Sequence, residues 1–119
     1  MSQAKPPSSD RSLALFLDMM AAEGSASPNT LAAYRRDLTQ LDAFLTQRGE
    51  TLSTAEADTL AAYMTHLNTQ QMAASTAARH LSSQRRFYKF LQTEGLRADN
   101  PADRLKRPRT LRPLPKLLS

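Results

Sequence analysis

The stretch SPNTLAAYRRDLTQLDAFLTQRG, residues 27–49, decides the fold class, because it carries both ends and the buried face of one long helix. Ser27 can cap the free N–H groups of the first turn, and Pro28 at the first helical position loses no hydrogen bond. Gly49 supplies the left-handed residue at which helices commonly stop. The pattern therefore predicts an amphipathic helix that runs to Arg48. Its apolar residues recur at helical spacing, at Leu31, Tyr34, Leu38, Leu41 and Leu45.

Similar helix-starting and helix-stopping residues predict three further helices, over residues 10–23, 53–71 and 75–95. The third would open with Ser53 and Glu56 in a capping-box pattern, and a short fifth turn would follow at residues 100–105. No run of alternating β-branched residues predicts a strand. We therefore expect an all-α fold, a compact bundle of four helices plus a short fifth helical turn. The residues predicted to face inward are Leu13, Phe16, Leu17 and Met20, then Leu60, Met64 and Leu67, then Ala77, Leu81, Gln84, Tyr88 and Leu91.

The helix boundaries and the positions of proline also predict the domain organisation. Residues 1–9 have the composition of a disordered leader, residues 10–106 form the helical domain, and the proline-broken segment 107–119 has that of an exposed linker. There is no cysteine, which excludes disulfides and thiolate metal sites. No segment approaches the roughly 20 apolar residues that span a bilayer, and the N-terminus has no apolar run of a secretory signal. These features predict a cytoplasmic protein.

Charge is unevenly divided along the chain. From Ser75 to the end there are 11 Lys or Arg and three acids, a balance of +8, while residues 1–74 hold five basic and eight acidic residues, a balance of −3. Such a one-sided field attracts a polyanion such as nucleic acid, and the attraction weakens as salt rises. On charge alone, a solvated face that keeps the domain soluble explains the pattern equally well.

The fourth predicted helix carries a face that suits a DNA groove. No acid occurs between Ser75 and Gln92, and small hydroxyl residues surround two arginines. Small residues let a helix enter a groove, and arginine can fork onto guanine or phosphate. The residues predicted to contact DNA from this helix are Ser75, Thr76, Arg79, Ser82, Ser83, Arg86 and Lys89.

The second helix offers a weaker version of the same face. Arg36 lies opposite its leucine stripe, and its N-terminus, beside Asn29 and Thr30, could present free N–H groups to a phosphate. Ordinary helix capping explains that terminus equally well.

The sequence indicates neither a metal, a cofactor nor catalysis. His66 and His80 have no partner ligand at helical spacing. The three glycines are placed as helix stops and form no phosphate loop, and no nucleophile–base pair can be assembled.

Three segments together carry a family resemblance: SPNTLAAYRRDLTQLDAFLTQRG, STAARHLSSQRRFYKFLQTEGLRADNPADRLKRPR and the ending LPKLLS. They resemble the N-terminal part of tyrosine recombinases of the Xer type, over about residues 13–119. In that family this region is a SAM-like core-binding domain that clamps one face of a recombination half-site. The catalytic domain, with its tyrosine nucleophile and His-x-x-Arg motif, has no counterpart in this sequence.

The resemblance implies duplex DNA binding at recombination half-sites, in integration or in recombination such as chromosome dimer resolution. It implies Arg79 as a major-groove contact, with Asn29, Thr30 and Arg36 meeting the backbone or groove. It suggests that the chain is part of a longer strand-exchange enzyme and does not catalyse alone. Other recombinase protomers are the second expected partner, through the first helix at Leu15, Met19 and Met20. The alternative is a helical protein-interaction module whose basic segment is a solubilising linker.

Overall fold

The computed structural model describes residues 9–24 and 26–105. This part folds into four helices, α1 (Ser9–Glu23), α2 (Pro28–Thr46), α3 (Ala57–Thr69) and α4 (Ala74–Thr93), and it contains no strand. The predicted all-α bundle is confirmed. Helices α2 and α4 pack against each other, and α1 and α3 flank this central pair without contacting one another. The predicted linker and nearly all of the predicted leader lie outside the described residues.

Glycine ends the helices where the sequence predicts. Gly24, Gly49 and Gly95 have φ angles of 67°, 76° and 76°, the left-handed region that a side chain disfavours. After α2, the Glu50 N–H donates to the Leu45 carbonyl at 2.9 Å, which satisfies one of the last free acceptors of the helix. The regular part of α2 therefore ends at Thr46, two residues before the predicted end.

The predicted start of α3 is wrong. The helix begins at Ala57, and Glu56 at its N-cap makes no side-chain capping bond. Glu50 caps the helix from the preceding loop instead: its carboxylate accepts from the Glu56 N–H at 3.1 Å and from the Thr59 hydroxyl at 2.9 Å. The capping-box pattern relates residues three apart, so it cannot identify a capping partner six residues away.

The core contains residues of all four helices, and part of it lies where α1, α2 and α4 meet. Phe16 is fully buried and contacts rings of both neighbouring helices. Its centroid lies 5.4 Å from Phe87 and 5.6 Å from Phe90 on α4, and 6.5 Å from Tyr34 on α2. The predicted inward residues of all four helices are buried, except that Ala77 is half-buried at the start of α4 and Leu31 at the start of α2.

The segment after α4 folds back onto the bundle. Asn100 accepts from the Ala102 N–H at 3.0 Å, and Ala102 and Leu105 are buried, which confirms the predicted fifth turn. Two arginines hold it. Arg97 donates to the Ser53 carbonyl at 3.1 Å, and Arg85 donates to the Leu105 carbonyl.

The predicted contact surface of α1 is smaller than expected. Met20 is 1% exposed and belongs to the core, so it cannot contact a partner in this conformation. Met19 is half-buried, and Leu15 is exposed. Within the described residues, no helix is both long and apolar enough to cross a membrane.

Candidate nucleic-acid interface

The outer stripe of α4 consists of basic and hydroxyl residues spaced three or four apart. Ser75, Arg86 and Lys89 are exposed, and Thr76, Arg79 and Ser82 are half-buried. Spacings of three and four place Ser75, Arg79, Ser82, Arg86 and Lys89 on one side of the helix. This stripe contains no acid.

Ser83 does not belong to that stripe, so its predicted exposure is wrong. The residue is fully buried and its hydroxyl donates to the His80 carbonyl at 2.9 Å. Phe87 and Phe90 lie four and seven residues later on the same side of α4, where Phe16 of α1 covers them. The buried side of α4 is therefore wider than the inward residues predicted from its sequence indicate.

Arg79 is the cation of the stripe that a buried acid holds. Its Nε donates to Asp37 Oδ2 at 2.8 Å and its Nη2 donates to Asp37 Oδ1 at 2.9 Å. The Asp37 side chain, on α2, is 1% exposed, whereas the Arg79 side chain is 37% exposed. This bidentate pair links the two helices, and the hydrogen bonds to Asp37 raise the pKa of Arg79 further above its ordinary value.

Two more polar side chains lie beneath the pair. His80 Nε2 is 3.5 Å from Asp37 Oδ1, and the His80 ring packs edge-on against Tyr63 at 6.2 Å. Burial lowers the pKa of His80 below its ordinary value of 6.5; the Asp37 carboxylate opposes this shift and the Arg79 charge adds to it. Burial, and then the charge of Asp37, raise the pKa of Tyr63. Near neutral pH, Arg79 therefore supplies the counter-charge of Asp37.

The start of α2 has fewer free N–H groups than the phosphate-binding hypothesis assumes. The Ser27 hydroxyl accepts from the Thr30 N–H at 3.1 Å and donates to the Thr30 hydroxyl at 3.0 Å. Pro28 has no N–H, so the Asn29 N–H is the free donor of this turn within the described part of the chain. The side chains of Asn29 and Arg36 are exposed and that of Thr30 is half-buried.

The arginines of the basic half differ in how freely they can meet a partner. Arg85 and Arg97 are engaged with backbone carbonyls, and Arg97 also pairs with Asp99 at 2.6 Å. Arg86 and Lys89 make no hydrogen bond or ion pair to the residues that the structure describes. They are the freest cations of the α4 stripe.

Asp37 is the residue that sequence reasoning missed. It lies three residues after Tyr34 and directly before Leu38, so one signal was available: an acid at the edge of an apolar stripe requires a buried partner. The sequence of α2 alone could not identify that partner, because Arg79 lies 42 residues away. Among the described residues, no group of three His, Asp or Glu could hold a metal ion.

Comparison with known proteins agrees with this fold. Residues 13–95 match the family described as phage integrase, N-terminal SAM-like domain. Among similar proteins, the tyrosine recombinase XerD of Rhizobium meliloti is 51% identical over 104 residues, which cover 87% of this chain and 33% of the relative. XerD of Agrobacterium fabrum is 49% identical over 104 residues, covering 87% of this chain and 31% of the relative.

A third relative extends the match along the chain. XerD of Bradyrhizobium diazoefficiens is 47% identical over 113 residues, covering 95% of this chain and 36% of the relative. The chain thus spans about a third of the length of the curated relatives that it matches. It belongs to the phage integrase family of N-terminal SAM-like domains.

Proposed function

We propose that this chain binds duplex DNA at recombination half-sites, as the core-binding domain of a site-specific tyrosine recombinase. The observation that carries the proposal is the acid-free stripe on α4, whose Arg79 is paired with the buried Asp37 of α2. The relatives' name supplies the reaction in which such binding would serve. Contact with chromosomal DNA requires the cytoplasmic location that the sequence predicts.

Each part of this surface has a distinct role in the proposal. Arg86 and Lys89, which are exposed and unpaired in the described part of the chain, meet phosphates. Arg79 enters the groove with Ser75, Thr76 and Ser82 around it, because these small side chains allow close approach. Asn29, Thr30 and Arg36 of α2 contact the neighbouring backbone. Ser83 is left out, because it is buried.

The proposal includes contacts between protomers bound to the same DNA. Leu15, which is 38% exposed, and the half-buried Met19 are the apolar side chains that α1 offers to a neighbour. A surface this small would associate only when DNA brings the protomers together.

Fluorescence anisotropy of the chain with a labelled half-site duplex, and with a scrambled duplex, tests the proposal at two salt concentrations. Arg86→Ala should weaken binding to both duplexes and reduce the slope of log K against log salt by about one. Arg48→Ala is the matched control. It removes the same charge, but Arg48 lies beyond the end of α2, whose axis extends about 15 Å from Arg36 to Thr46. The Arg48 guanidinium lies 3.9 Å above the Phe44 ring.

The outcomes separate the functions. Salt-dependent binding that Arg86→Ala weakens and Arg48→Ala spares supports the proposal. Equal losses in both variants would indicate a response to net charge without a defined surface. No binding to either duplex at low salt would refute it and favour the protein-interaction module.

A further inference from the structure

Asp37 uses only one edge of the Arg79 guanidinium. A guanidinium has five N–H donors in a planar fork. The side-on edge, formed by Nε–H and one Nη2–H, is bonded to the two oxygens of Asp37 at 2.8 and 2.9 Å. The end-on edge, formed by Nη1 and the second Nη2 hydrogen, remains available. It can donate two parallel hydrogen bonds while the ion pair stays intact.

Burial fixes which way the free edge faces. The Asp37 side chain is 1% exposed and lies at the packed boundary of α2 and α4, whereas the Arg79 side chain is 37% exposed. The edge of the guanidinium that is bonded to Asp37 faces this boundary, and the end-on edge is turned away from it. Helical spacing places Arg79 on the same side of α4 as Ser75 and Arg86.

We infer that Asp37 is a positioning residue for DNA recognition: it holds Arg79 so that the end-on edge donates to a guanine in the major groove. The inference rests on the proposed function and names the group that this site would read. Guanine O6 and N7 are two adjacent acceptors that match an arginine fork. An unrestrained arginine would reach phosphates as readily as bases, and phosphate contacts carry no sequence information.

The inference makes a prediction opposite in sign to that of charge alone. Replacing Asp37 by asparagine raises the formal net charge from +5 to +6, since one negative charge is lost. Simple electrostatics then predicts tighter binding to every duplex. A positioning role predicts instead that binding to the preferred duplex weakens relative to others, because Arg79 is no longer held in one orientation.

The experiment begins by selecting duplexes from a random library with the unmodified chain. The preference is the ratio of Kd for a scrambled duplex to Kd for a selected duplex. We expect Asp37→Asn to lower this ratio about tenfold, as a lost bidentate base contact would. Asp42→Asn is the matched control: it makes the same charge change on the same helix at a half-buried side chain, and it should leave the ratio unchanged.

Two further arms test the inference, and the first does not depend on how well Asp37→Asn folds. Arg79→Lys keeps the charge but lacks the fork, so the preference should fall while the salt dependence persists. Replacing each guanine of the selected duplex in turn by 7-deazaguanine removes one N7 acceptor and leaves the phosphates unchanged. One such position should weaken binding of the unmodified chain about tenfold and have little further effect on Asp37→Asn.

The failures of the two proposals are distinguishable. No binding to any duplex overturns the proposed function and the inference with it. Binding that selects no sequence, or a preference that survives Asp37→Asn, overturns the inference and leaves DNA binding in place. Sensitivity to 7-deazaguanine that is equal in the unmodified chain and in Asp37→Asn also overturns it.

Discussion

Removing Arg79 should destabilise the domain much more than removing the charge of its partner Asp37. Arg79→Met leaves Asp37 with its carboxylate 1% exposed and its strongest partner gone. Breaking a buried pair in this way costs about 3–5 kcal/mol. We expect about 3 kcal/mol here, because solvent already reaches the arginine side of the pair. Asp37→Asn leaves the 37% exposed guanidinium hydrated and should cost about 1 kcal/mol.

The assay is urea denaturation followed by far-ultraviolet circular dichroism, with equal m-values required across variants. A loss of about 3 kcal/mol is a large share of the 5–15 kcal/mol stability typical of a domain. His80 adds a second signature. Its Nε2 lies 3.5 Å from Asp37 Oδ1, and Arg79 is one of the charges that lower its pKa. Without Arg79, a protonated His80 can take over as the counter-charge.

The loss caused by Arg79→Met should therefore shrink as the pH falls from about 7.5 to about 5.5, the range in which histidine titrates. Losses that are equal for the two variants, or larger for Asp37→Asn, would contradict the burial argument. A pH-independent Arg79→Met loss would show that His80 does not respond to Asp37.

Three further expectations concern the bundle itself. In the unmodified chain the folded-state pKa of His80 lies below 6.5, so the unfolded state binds the proton first as the pH falls. The free energy of unfolding should therefore fall as the pH drops below about 6.5. Urea titrations at several pH values measure this dependence, and His80→Asn should make it weaker. Glu50→Ala should cost about 1 kcal/mol by removing the cap of α3. An unchanged thermal melting temperature, followed by the helix signal, would argue against that cap. Phe16→Ala should cost about 3–5 kcal/mol, since the ring is fully buried, while Leu15→Ala, next to it but 38% exposed, should change stability by less than about 0.5 kcal/mol; comparable losses at the two positions would contradict the packing described for α1.

Local signals predicted the helices well because each lies within a single segment. The Ser27–Pro28 start of α2 and the glycine stops depend on backbone geometry that one residue supplies. The start of α3 could not be predicted in the same way, since its cap comes from Glu50, outside the helix and before the turn at residues 51–54. A three-residue pattern identified Ser53 and Glu56, but the physical partner lay elsewhere.

The candidate site was predictable only where it depends on a single helix. Spacing along α4 correctly placed Ser75 and Arg86 on the outside. It failed for Ser83, which is fully buried one turn before Phe87, the ring that Phe16 of α1 contacts. It also missed the restraint on Arg79, because an ion pair between α2 and α4 depends on how the two helices pack.

The folded-back segment after α4 sets the point from which the reach of the following chain is measured. Residues 96–105 are held against the bundle through Arg97 and Arg85. If those ten residues were free, they could extend the reach of the following chain by up to about 35 Å. With them held, the reach is measured from Leu105. A group attached beyond that residue is thereby confined to a smaller volume around the domain, which raises its effective concentration at any surface that the domain already occupies.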